Sequence, residues 1–226
     1  MMLIDSYASF VSALRAAGFS VGSPNDEGTF SLLRHTAPGV EWHTGDPRTD
    51  PWEWRLRVLR ECGDIAYSKV FFRKSGYITR EWYPLFLAAR QGSLTFEEAY
   101  EDGRISRTAK QIYELIEQND VLPLHEIRLR GGFGKDDRNR FERAIVELQM
   151  GLYITMCGSA HKRNRRGEEY GWTVTSFCKT ENFWGREVAD RAAALSPEEA
   201  AETIRARVRE LNPDCDERKI TRFIFG

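Results

Sequence analysis

The chain has 226 residues, 41% hydrophobic and 30% charged, enough for one large domain or two small ones with apolar cores of their own. Its formal net charge of −1 gives no overall attraction to a polyanion, so any such partner has to be met by a local concentration of cations. No apolar run approaches the roughly 18 residues of a membrane span, and the four widely spaced cysteines lack ligand spacing, so free thiols in the cytoplasm are expected.

The opening stretch, with Asp5 early and apolar residues at helical spacing through "YASFVSALRAAG", predicts an amphipathic helix rather than a leader. From about Gly22 to Pro51 the chain is rich in Gly, Pro, Asp and Asn and predicts irregular backbone. "PWEWRLRVLREC" then predicts a helix with Pro51 in its first turn, where a missing N–H costs nothing, and Trp54, Val58 and Leu59 on one face. The β-branched and aromatic "IAYSKVFFRKSGYIT" predicts a strand or hairpin turning at Ser75-Gly76. "REWYPLFLAARQG" predicts a helix closed by Gly92, and "TFEEAYEDG" a short one with a Thr95/Glu98 capping box and Gly103 as its stop.

Ser106 caps "RTAKQIYELIEQND", whose apolar face is Ala109, Ile112, Tyr113, Leu115 and Ile116. A short helix after Pro123, ended by the glycines of "RGGFG", is followed by a longer one, "RNRFERAIVELQM", capped by Asp136 or Asp137. "LYITMCG" and "WTVTSFCKT" predict two strands around the basic stretch "SAHKRNRRGEEYG". Three helices, strand, basic turn, strand is the winged-helix order, in which the third helix enters the major groove of DNA and the hairpin tip, the wing, meets backbone or minor groove. "SPEEAAETIRARVRELNP" and "DERKITRFIFG" predict two closing helices.

Charge is concentrated within this order: from Arg128 to Arg166 there are ten Lys/Arg against four Asp/Glu, whereas from Arg186 to Gly226 there are eight against nine. In the third helix Phe141, Ala144, Ile145 and Leu148 share the core face, leaving Arg138, Asn139, Glu142 and Arg143 opposite. Arginine forks guanine or phosphate, and asparagine suits adenine, so these side chain types fit a groove-reading helix. They equally fit a solvated face, since Glu142 lies four residues after Arg138. The wing is more one-sided, with Lys162, Arg163, Arg165 and Arg166 ahead of Glu168 and Glu169, and phosphate contact is expected there.

Elsewhere, His35, His43, His125 and His161 are isolated, and no metal, cofactor or nucleotide motif occurs. Trp52, Trp54, Trp82, Trp172 and Trp184, with the tyrosines and phenylalanines of the first half, are expected in the core. Glu53, Asp64 and Glu81 stand among them as candidate acid/base groups, with arginines near in sequence that favour plain ion pairing.

From "IAYSKVFFRKSGYITREWYPLFLAAR", through "AKQIYELIEQND", "LPLHEI" and "FERAIVELQMGLYIT", to "ENFW", about half the chain resembles the AlkZ/YcaQ-type family of winged-helix DNA glycosylases and their relatives. That resemblance implies a winged-helix fold and contact with DNA. Enzymes of the family cut the glycosidic bond with a Gln-x-Gln or Gln-x-Asp pair on an early helix. Here Gln118 and Asp120 match the pattern but end the first helix of the later winged segment, and no glutamine occurs from Ala16 to Thr49.

The expectation is therefore an α+β protein in three parts: residues 1–103, an N-terminal mixed region; 104–185, a winged-helix domain; and 186–226, a helical extension. Its expected role is to bind double-stranded DNA, away from membranes and without a cofactor or glycosylase activity, through Arg138, Asn139, Arg143, Lys162, Arg163, Arg165 and Arg166. The alternatives are a divergent glycosylase using a carboxylate of the first half, and a scaffold whose basic wing docks an acidic protein.

Overall fold

The computed structural model describes residues 3–24, 29–163 and 166–226. In chain order its elements are α1 (Tyr7–Ala17), β1 (Phe19–Val21), α2 (Pro51–Glu61), β2 (Ile65–Phe71), β3 (Lys74–Thr79), α3 (Tyr83–Gln91), α4 (Phe96–Glu101), α5 (Arg107–Glu117), β4 (Val121–Pro123), α6 (Leu124–Arg130), α7 (Arg138–Met150), β5 (Ile154–Arg163), β6 (Glu169–Lys179), α8 (Thr180–Trp184), α9 (Arg186–Ala193), α10 (Pro197–Leu211) and α11 (Glu217–Phe225). The fold is α+β, with antiparallel strand pairs. Among the described residues no helix is long and apolar enough to cross a membrane.

Two compact units divide the chain: Met1–Ser93 with Arg186–Gly226, and Leu94–Gly185. The expected boundary at 103/104 thus falls ten residues earlier, because Phe96 of α4 stacks on Tyr113 of α5 at 3.7 Å and belongs with Ala99 to the core of the second unit. Residues 186–226 are not a separate extension. Phe223 of α11 stacks on Phe71 of β2 at 3.9 Å and tilts against Phe19, which joins the chain's last helix to the core of its first strands.

In the first unit the strands run β1-β3-β2, with Phe19 opposite Ile78 and Ile65 opposite Thr79. The β2–β3 hairpin turns at Phe72 and Arg73, both at positive φ (53° and 61°), and not at Ser75-Gly76. Gly76 instead lies within β3 because a Cβ there would come within 2.3 Å of the Phe71 ring. The glycine serves packing and leaves the left-handed turn to two ordinary residues, at some local strain.

Irregular backbone does fill most of the region before α2, where the described residues form only short pieces, and Asp50 organises its last part. This carboxylate is fully buried at the N-cap of α2 and accepts from the backbone N–H of His43 (3.1 Å), Gly45 (2.9 Å) and Trp52 (2.8 Å). Burial alone would raise its pKa, but those backbone donors outweigh burial and hold it below the ordinary carboxylate value. At the other end of the unit, half-buried Arg90 of α3 donates to the carbonyls of Ile224 (2.6 Å) and Phe223 (2.9 Å), closing the C-terminus of α11; desolvation lowers its pKa to about 10, so it stays charged near neutrality.

The second unit runs α4, α5, β4, α6, α7, β5, β6, α8. Its strands lie in the order β5-β6-β4, with β4, which the sequence did not signal, pairing Val121 to Cys178 and Pro123 to Ser176. Ile112 and Ile116 of α5, Ile127 of α6, Phe141, Ala144, Ile145 and Leu148 of α7, and Ile154 and Phe177 of the strands form its core. Each helix contributes one stripe, as the 3.6-residue period requires.

Two stability outcomes follow. Arg90→Ala should cost about 2–3 kcal/mol in a denaturant melt, since a charged donor to two buried carbonyls is lost, and Arg90→Lys should recover little because a single ammonium cannot span both acceptors. Asp50 has a depressed native pKa, so its contribution is complete above the unfolded carboxylate pKa of about 4 and is lost as pH falls through the native value. Asp50→Asn should cost about 1–2 kcal/mol at neutral pH and flatten the acid limb of a stability-versus-pH curve, an effect absent if the carboxylate bears no load.

Candidate nucleic-acid interface

Helix α7 is fixed in rotation by its buried stripe, Phe141, Ala144, Ile145 and Leu148, all under 9% exposed. Arg138, Asn139, Glu142 and Arg143 are consequently all exposed, as the periodicity predicted. Arg138 Nε donates to Glu142 Oε1 at 2.9 Å, the i,i+4 pair that the solvated-face reading anticipated. Such an exposed pair is worth only about 0.3–0.5 kcal/mol, so the guanidinium exchanges partners readily. Asn139 and Arg143 make no side-chain hydrogen bond or ion pair among the described residues. Asp137 occupies the N-cap but does not cap with its side chain; its carboxylate accepts instead from Gly134 N–H (2.9 Å) and Arg140 (2.6 Å).

The turn before α7 is a Schellman motif. Gly132 at φ +67° donates to Leu129 O, and Phe133 N–H reaches back to Arg128 O at 3.0 Å. Phe133 then tucks in against Phe141, ring centroids 5.0 Å apart, a fit that needs Gly131, where a Cβ would lie 2.3 Å from the Phe133 ring. Over the same Phe141 ring lies the Arg128 guanidinium, at 4.9 Å. The result is a cavity of about 670 Å³ lined by Arg128, Phe133, Gly134, Lys135, Arg138 and Glu142. Sequence reading treated "RGGFGK" as a helix stop and a turn, which it is, but missed that the stop converges Arg128 and Lys135 on Arg138.

The basic stretch is less of a loop than expected. Strands β5 and β6 continue outward until Lys162 pairs with Tyr170 and Arg163 with Glu169, so Lys162 and Arg163 stand on a strand rather than in its turn. Arg166 is exposed in the turn, and Arg165 lies outside the described residues. The inner half of this ribbon is anchored by Ile154, Phe177 and Cys178, whereas from Glu169 to Thr173 every residue of β6 is exposed. Two register shifts, at Met156/Gly158 and Ala160/Lys162, twist it along its length. Trp172 is 92% exposed and Tyr170 53%, which corrects the expectation that Trp172 belongs to the core.

The remaining candidates are scattered. Arg15 holds Asp64 through two bonds of 2.7 and 2.9 Å, and that pairing, ahead of the opposing effect of partial burial, keeps the carboxyl below its ordinary pKa. Glu81 is exposed and Glu53 half-buried in the first turn of α2; none of the three lines the cavity at α7. All four cysteines are free, and among the described residues no three His, Cys, Asp or Glu side chains are grouped to hold a metal.

Among solved structures, the Streptomyces sahachiroi DNA glycosylase AlkZ is similar to this chain at 17% identity and a TM-score of 0.38, over 77% of this chain and 50% of that one. The chain therefore spans about half the length of that protein. No curated protein matches it significantly. The family model described as AlkZ related matches residues 4–225, nearly the whole chain, and the protein belongs to the AlkZ-related family.

Proposed function

We propose that the second unit is a winged-helix module that binds double-stranded DNA, with α7 as the groove-facing helix and the β5–β6 ribbon as the wing, and that it does so without cutting the glycosidic bond. The observation that carries this reading is the ribbon itself. Its outer half buries little, yet it continues as a paired ladder with a bulge of its own and bears Lys162, Arg163, Tyr170 and Trp172, with Arg166 in the turn beyond. A two-stranded ribbon without a core is marginal in water, and this one exposes two aromatics, Tyr170 and Trp172, beside its cations.

Three further features agree with the reading. The order α5, β4, α6, α7, β5, β6, with β4 on the outer edge of β6, matches winged-helix topology. Arg138, Asn139 and Arg143 share the exposed face of α7, where arginine and asparagine suit base edges and phosphates alike. Membership of the AlkZ-related family accords with DNA as the target. Base excision finds less support: Asp64 is committed to Arg15, and the early region lacks the glutamine pair that the resemblance would require.

Duplex binding should be measurable at about 50 mM salt and fall steeply as salt rises. Changing Lys162, Arg163, Arg165 and Arg166 together to alanine should reduce the magnitude of the slope of log K against log salt by about 3.6, about 0.9 for each lost phosphate contact. Absence of binding at low salt, or an unchanged slope, overturns the proposal. Incubation with alkylated duplex should release no base; release that survives in the wing variant but disappears in a Glu53→Gln protein would move the function to the first unit.

A further inference from the structure

We infer that the cavity between the end of α6 and the start of α7 is a phosphate-binding site, made by Arg128, Lys135 and Arg138, that seats one phosphate of a nucleic-acid backbone. The inference rests on the DNA-binding reading above and adds two residues of the basic segment, Arg128 and Lys135, that were not among the expected contact residues.

Three cations and one carboxylate, Glu142, line a concave space of about 670 Å³. The carboxylate does not saturate them. Arg138 Nε holds Glu142 Oε1 at 2.9 Å, but Arg128 Nη2 reaches the same oxygen only at 3.8 Å. Arg128 Nε is buried with no hydrogen-bond acceptor, so this guanidinium is under-paired where buried donors are ordinarily matched. Lys135 makes no ion pair among the described residues. Of the neighbouring acids, Asp137 is engaged by Gly134 N–H and Arg140 and Glu126 by Arg130, while exposed Asp136 makes no hydrogen bond or ion pair among the described residues and leaves the local balance still positive.

Rigidity favours a preformed site. Arg128 is set by the last turn of α6 and lies on the Phe141 ring, and Phe133 closes the floor through the Schellman turn. Two guanidiniums and an ammonium around one hollow match a tetrahedral anion with several acceptor oxygens better than a planar carboxylate, which a single fork satisfies. The hollow opens at the first turn of the helix whose exposed face bears Asn139 and Arg143, so a backbone phosphate held there would set the register of that face on the duplex.

The test is an amide NMR titration of the full chain with three probes: a short duplex, inorganic phosphate and an oligoglutamate peptide. Saturable shifts at Gly134 and Lys135 with duplex, lost in Lys135→Ala and retained in Lys162→Ala, are expected. The salt slope of Lys135→Ala should fall by about 1, with Lys135→Arg restoring it. Lys135 is exposed and unpaired, so its alanine variant keeps the fold. Shifts with inorganic phosphate and none with duplex would keep the anion site but remove its nucleic-acid source, and with it the DNA-binding reading. Wing-dependent duplex binding without shifts at Gly134 and Lys135 would overturn the pocket and leave that reading intact. Shifts with oligoglutamate alone, or with no probe, would overturn the pocket as a phosphate site.

Discussion

The buried stripe of α7 is the constraint on which the interface depends. Once Phe141, Ala144, Ile145 and Leu148 are packed against Ile112, Ile127 and Phe177, the helix has no rotational freedom, and the identity of its outward residues is decided by a 3.6-residue period alone. Phe141 has a second role. It receives Phe133 on one side and the Arg128 guanidinium over its face, so the same ring that orients α7 also shapes the hollow at its start. Losing that ring would remove core area, a cation–π contact and the seat of Phe133, which closes the floor of the cavity.

The ribbon works on the opposite principle. Its inner pairs, Ile154 with Lys179 and Met156 with Phe177, are held by the core, and its outer pairs are held only by one another. Outside the core the two bulges help to fix the ribbon's direction by adding twist at defined positions. Near the outer bulge the His161 ring Nδ1 lies 3.2 Å from Gly171 O, with Gly171 at φ +72°, a conformation that suits glycine. Backbone geometry thus contributes to how Lys162, Tyr170 and Trp172 are presented.

How much of this was legible in the sequence follows from which signals were local. Helix caps were readable because they are carried by two or three adjacent residues: Ser106, the Thr95/Glu98 box and Gly92 all act where they were expected. The family resemblance seen over residues 65–184 extends, by the match over 4–225, to nearly the whole chain. What escaped depended on partners distant in sequence. Gly76 looked like a turn because its real reason, the Phe71 ring, cannot be seen in a dipeptide. β4 is three residues long and exists through its pairing with β6. The union of residues 186–226 with the first unit hangs on Phe223 and Arg90, 133 residues apart, which no pattern reports.

Net charge is the poorest guide of all to this protein, and the ion pairs explain why. In the first unit several arginines are held by carboxylates: Arg15 by Asp64, Arg57 by Glu61, Arg80 by Glu187, and Arg205 and Arg209 by a shared Glu217. Those pairs cancel at contact distance and project little field beyond the ~8–10 Å over which salt lets a charge act. Around α7 the matching is incomplete: Arg128 and Arg138 share one carboxylate, and Lys135 and Arg143 have none among the described residues. The total of −1 therefore hides an uneven distribution: within the second unit the segment from Arg128 to Arg166 carries ten Lys/Arg against four Asp/Glu, and it is that segment which can attract a polyanion. Because that excess is local and screened, the proposed binding has to be short-ranged, so the shape of the hollow and the reach of the ribbon must supply what overall charge does not.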